Sequence, residues 1–177
     1  EVKQNTEVAV RWAIAAVRTA ELNFATAKAA KVTLTTAVTV ADSNGKAFIG
    51  TAQSVLVPFL GSQPSTAWVP VGYPADSLGL PPSQGERQAL LDDLKDYFTA
   101  NPTRENAPLV ITATQAGLLF TALSDARSAA NQGNTNAVTK KGLRDGAVRA
   151  LRKRMRGLIG ELEGLLEDDD ARWYAFG

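Results

Sequence analysis

The sequence predicts an all-α fold: an elongated antiparallel helical hairpin or bundle of two long helical stretches with a short loop–helix insert. Three observations carry this. Apolar residues recur at helical spacing over 6–60 and again over 103–168. Five of the eight prolines fall in one segment, 61–83, which separates the two stretches. Between that segment and the second stretch lies one more short amphipathic pattern, 84–100.

The first stretch is Ala-rich, with larger side chains at Val10, Ile14, Val17, Phe24, Leu34 and Val38, mostly at steps of three, four or seven. Thr6 stands ahead of it as an N-cap, without the glutamate that would complete a capping box. Residues 32–50 are its weak point, because β-branched alternation followed by Asn44-Gly45 also fits a β-hairpin. The surrounding Ala, Lys and Gln are poor strand formers, so helix is the reading taken. Phe48, Ile49, Ala52, Leu56, Phe59 and Leu60 resume the helical spacing up to Gly61, a C-terminal cap candidate.

Residues 61–83 cannot form a regular helix, yet Trp68, Val69, Val71, Tyr73, Leu78 and Leu80 are too apolar for a free linker. An ordered loop laid over a helical surface is expected. Ser83 then caps helix 84–100, whose buried face is Leu90, Leu91, Leu94, Tyr97 and Phe98, and Asn101-Pro102 ends it. The second long stretch has a polar interruption at Asn131–Asn134 and then a heptad-like, coiled-coil seam of Val148, Leu151, Met155, Leu158, Leu162 and Leu165. An aromatic tail, 171–177, is expected to fold back on the bundle end. The whole reads as a single helical domain over 1–177, and an uninterrupted 55-residue stretch would run ~80 Å.

Four segments, AWVPVGYPADSLGLP (67–81), DLKDYFTANP (93–102), ALRKRMRGLIGEL (150–162) and DDDARWYAFG (168–177), resemble uncharacterised bacterial proteins in which an Ala-rich helical region precedes fibronectin type III-like modules. The resemblance runs through nearly the whole chain but rests on packing and loop residues. It implies a helix over 32–60 and further protein beyond Gly177, and it brings no activity, cofactor or catalytic residue. A chain that begins at Glu1 reads as a processed product or a fragment.

Composition narrows the chemistry. There is no cysteine and no histidine, so thiolate nucleophiles, disulfides and the commonest general base and nitrogen ligand are excluded. No GxSxG, Walker or GxGxxG pattern occurs. Asp42-Ser43-Asn44-Gly45 opens like a calcium loop, but Gln53 supplies no closing carboxylate. Glu86, Asp92, Asp93 and Asp96 form a carboxylate cluster that reads as a solvated face near a helix start. No cofactor, metal or small-molecule substrate is inferred, and no apolar run is long enough to span a bilayer. Composition assigns no compartment.

One segment stands out. Between 140 and 156 eight basic residues face a single acid, Asp145, and 161–170 then turns acidic. The facing part of the first stretch offers only Glu7 and Glu21, so internal neutralisation falls short. Gly157, Gly160 and Gly164 lie opposite the leucine stripe, where each interior glycine costs ~1 kcal/mol relative to alanine. The expected interaction surface is therefore Arg149, Arg152, Lys153, Arg156, Gly157, Gly160, Glu161, Glu163 and Gly164. In a weak homodimer, 144–167 would pair antiparallel with itself about Leu158, with Arg152 and Arg156 against Glu161 and Glu163 of the second molecule. The chain thus reads as a non-enzymatic structural or protein-interaction module. The weaker alternative is a binder of nucleic acid or another anionic polymer through 140–156; a net charge of +1 and the absence of interleaved aromatics stand against it.

Overall fold

The computed structural model describes residues 2–167 and 169–176, the last two of them in backbone only. The fold is all-α, with no strand among the described residues. Three helices, α1 (Glu7–Leu60), α2 (Gln84–Ala100) and α3 (Ala113–Glu163), are joined by short 3₁₀ turns at Thr66–Val71, Pro102–Arg104 and Ala107–Leu109. A fourth 3₁₀ turn, Ala171–Phe176, closes the chain.

Helix α1 runs unbroken through 32–50, so the hairpin alternative is set aside. Within it Thr36 and Thr39 donate their hydroxyls to the carbonyls of Val32 and Thr35, at 3.1 and 3.2 Å, one turn back along the helix. Thr6 caps its start by accepting from the Ala9 amide, and Gly61 at φ 89° ends it, donating to the Val57 carbonyl at 2.9 Å. Gly45 makes no turn. It is buried, and a Cβ there would lie 3.2 Å from a Leu91 methyl, so its size lets α2 approach closely. The expected break at 131–134 is absent, and α3 is continuous there. Its start is later than periodicity suggested, at Ala113 rather than 103. Residues 106 and 111 bridge across Pro108, and the Ala113 amide donates to the Glu105 carboxylate.

The chain forms two compact units, 1–31 with 133–177 and 32–132. The second holds the large core. Phe48, Ile49, Ala52 and Leu56 of α1 pack with Leu90, Leu91, Leu94 and Phe98 of α2, and with Ala116 and Leu123 of α3. Trp68, Val71 and Tyr73 of the proline-rich segment complete it, Trp68 and Tyr73 meeting edge-to-face at 5.5 Å. Helix α2 is thus a third bundle helix within this unit. Its direction follows from its contacts. Asp42 and Gly45 meet Arg87 and Leu91 in rising order, whereas Gln88 and Lys95 meet Arg127 and Phe120 in falling order. Helix α2 therefore runs with α1 and against α3. Residues 61–83 must travel back along the bundle to start it, which brings Trp68, Val71 and Tyr73 into the core while most of the segment stays exposed.

The start of α2 is fastened twice. Ser83 and Glu86 form a full capping box, at 3.2 and 3.0 Å. Arg87 grips buried Asp42 with two bonds of 2.7 and 2.9 Å, and its remaining nitrogen donates to the Pro81 and Pro82 carbonyls at 2.6 and 2.8 Å. One guanidinium thereby ties α1, the loop and α2 together. The Asp42 carboxyl is held below its ordinary range, foremost by the Arg87 bond.

Candidate interaction surface

The other unit is an antiparallel pair made by the first half of α1 and the second half of α3. Lys3, Gln4 and Asn5 lie beside Glu161, Arg154 and Gly157, while Phe24 lies under the Arg144 guanidinium at 4.7 Å. On α1 the inner seam is Val10, Ala13, Val17, Ala20, Phe24 and Ala27, at strict steps of three and four. Half of it is alanine, which an Ala-rich sequence hides. On α3, Val148, Leu151 and Leu158 are half-buried and Leu162 is buried, as the leucine stripe implied, but Met155 and Leu165 are exposed.

The nine expected surface residues divide. Arg149, Arg152, Lys153 and Arg156 are exposed, and among the described residues none of them makes an ion pair. Gly160, Glu163 and Gly164 are exposed too, and nothing lies within 4 Å of a Cβ built on Gly160. Gly157 and Glu161 serve the chain itself. A Cβ on Gly157 would stand 2.7 Å from the Asn5 amide nitrogen. The Glu161 carboxylate accepts from the backbone amides of Lys3, Gln4 and Asn5 at 2.8, 3.3 and 3.2 Å, and from the Asn5 side chain at 2.6 Å. Burial pushes that carboxyl up, but the four donors outweigh it and leave it below its ordinary value. Glu161 therefore latches the N-terminal segment onto α3, so its carboxylate is already engaged within the chain. Nothing local in the sequence marks the latch, since its partners are backbone amides more than 150 residues away.

The acids expected nearby are also spent. Glu7 pairs with Arg11 at 2.7 Å on the outer surface, and Asp145 with Arg144 at 2.5 Å. Among the described residues Arg149, Arg152, Lys153 and Arg156 thus have no carboxylate at ion-pair distance.

This unit also leaves large apolar side chains in solvent. Trp12 is 73% exposed, Leu22 68%, Val8 63%, Val138 63% and Leu143 59%. Two grooves meet at Trp12. One, of about 440 Å³, is bounded by Ala16, Thr19, Asn23, Lys140 and Leu143. The other, of about 640 Å³, is bounded by Ala9, Ala13, Ala150, Lys153, Arg154 and Gly157. No carboxylate among the described residues lines either. The aromatic tail is pinned locally: Arg172 clasps Asp170, and the Trp173 indole donates to the Glu167 carbonyl at 2.9 Å. Tyr174 remains 89% exposed.

In the other unit the carboxylate cluster is dispersed. Asp92 and Asp96 both pair with Lys95, Glu86 caps α2, and Asp93 lies against Gly72. No group of acids among the described residues is arranged to hold a metal ion, and no helix is long and apolar enough to cross a membrane. No family model, curated protein or solved structure matches the chain.

Proposed function

We propose that this chain is a non-enzymatic, structural or protein-interaction module, and that the helix pair of residues 1–31 and 133–177 is its interacting part. The observation that supports this most is the contrast between the two units. One buries sixteen side chains in a single core. Among the described residues the other buries only Ala27, Ala137 and Leu162, and it leaves Trp12, Leu22 and Leu143 in water. Large apolar side chains such as Phe59, Leu109 and Leu118 are exposed in the other unit as well, but Trp12 and Leu143 line one groove together, and a contiguous apolar patch marks a contact site more often than scattered single residues do. A photo-reactive amino acid at Trp12, in cells that make the protein, tests this against the same group at exposed Thr99. A discrete protein adduct from position 12 alone is expected. Equal labelling from both positions, or none, removes the reading.

A second reading, binding of an anionic polymer through 140–156, gains one point from the geometry. Trp12 lines the same groove as Lys153 and Arg154, so an aromatic does stand beside the basic residues. Filter binding of single-stranded RNA at low salt, with Arg152→Glu/Arg156→Glu beside the native chain, decides it. Equal retention of the two proteins sinks it.

A further inference from the structure

The geometry points to an amphipathic α-helix with a carboxylate-rich flank, supplied by a partner protein, as the occupant of the grooves that meet at Trp12. This rests on the interaction-module reading and names the chemistry of the partner. Val8, Trp12, Ala15, Thr19 and Leu22 repeat at steps of four and three along α1, and none of them ionises. Trp12, Ala15 and Thr19 form one wall of a groove whose other wall carries exposed Leu143. An elongated apolar trough between two helices is the kind of site that a third helix fills, reading as anchors at i, i+3, i+4 and i+7. The neighbouring unit shows the same solution within one chain, where α2 lies against α1 and α3.

Charge selects among occupants. The trough is edged by Lys140, Lys153 and Arg154; none of the described residues lining it is a carboxylate, and the neighbouring Glu161 carboxylate is taken up by the Gln4 and Asn5 amides. Of the three cations, Lys153 is exposed and makes no ion pair among the described residues, and Arg154 donates to the Gln4 carbonyl at 3.2 Å. Two copies meeting through this face would set these cations against one another, and like charges across an interface oppose association. A helix whose flanks carry Glu or Asp meets both requirements, apolar wall and cationic rim. A single-stranded nucleic acid would satisfy the rim but leave Leu143 and the alanine wall uncovered.

The test uses the full chain and synthetic helical peptides of about 20 residues, ~30 Å of helix, with one Leu/Ala face and the rest Glu or, in the control, Lys. Binding is followed at the Trp12 indole N–H signal, assigned with a Trp12→Phe variant. The Glu peptide is expected to shift that signal, with the Lys peptide weaker by about tenfold or more at low salt. Lys140→Glu/Lys153→Glu should weaken the Glu peptide by a similar factor, and Leu143→Asp should abolish the shift while the core signals of Trp68 stay in place. Equal binding of both peptides, no shift with the Glu peptide up to roughly 1 mM, or a shift produced only by an oligouridylate overturns the proposal. If a Trp12 protein adduct forms in cells while the Glu peptide fails, the module reading stands and the acidic-helix partner falls.

Discussion

Asp42 shows how much a single residue can hold. It is buried, and its carboxylate takes both available nitrogens of one face of the Arg87 guanidinium, with Lys46 3.0 Å away on the outer side. Asp42→Ala leaves Arg87 buried without its counter-charge, and breaking such a pair costs about 3–5 kcal/mol. The carboxyl is held below its ordinary range, so its contribution is fully present above the unfolded value and is lost as pH falls through the folded one. Urea melts at neutral and acid pH should therefore show a large difference between native and Asp42→Ala chains that shrinks as pH falls; a difference that grows toward acid would refute the pairing. Gly72 makes a second residue-scale prediction. Its φ of 102° is left-handed, and a Cβ there would lie 2.5 Å from an Asp93 carboxylate oxygen. Gly72→Ala should destabilise by about 1–3 kcal/mol. Adding Asp93→Ala should return only part of that, because the backbone strain stays. Full recovery in the double variant would contradict this.

At the scale of elements, most of what periodicity and capping could say was legible. The bounds of α1 and α2, the Ser83 cap and five of the six buried residues of α2, all but Arg87, follow from spacing and cap chemistry alone. Three things were not. The direction of α2 depends on a long-range ion pair between Asp42 and Arg87, and Asp42 in isolation resembled a turn residue. The inner seam of α1 is half alanine, so it does not stand out from an Ala-rich background. The Glu161 latch joins a side chain to amides far away in the chain, which no local pattern encodes. Helical glycines were legible only as an anomaly, and the structure separates them. Gly45 is needed for a close approach, whereas Gly50 and Gly142 have nothing within 4 Å of an added Cβ. Gly50→Ala and Gly142→Ala should each stabilise by about 0.5–1 kcal/mol, through backbone entropy alone. Gly45→Leu should destabilise by about 1–3 kcal/mol, because it forces extra methylenes against Leu91. Thermal melts of the three variants give the order, and a stabilised Gly45→Leu chain would contradict the packing described.

At the scale of the whole molecule, stability is unevenly distributed. Residues 32–132 surround a core of sixteen buried side chains with three helices and an apolar loop, whereas 1–31 with 133–177 form two helices around a thin, alanine-rich seam. Local opening free energy follows buried apolar contact, so the two halves of the same helix should differ. The charge block that stood out in the sequence belongs wholly to the thinner unit, as do Trp12 and Leu143, and this places the proposed interface where the fold has least of its own to lose. Native-state hydrogen exchange, resolved along α1 and α3 and read at constant pH, tests this contrast most directly. The account predicts that amides of 41–60 and 113–130 exchange only through global unfolding, while those of 10–31 and 133–160 exchange through smaller openings that a bound partner suppresses. Uniform protection along both helices, or stronger protection in the unit that carries Trp12, would contradict it.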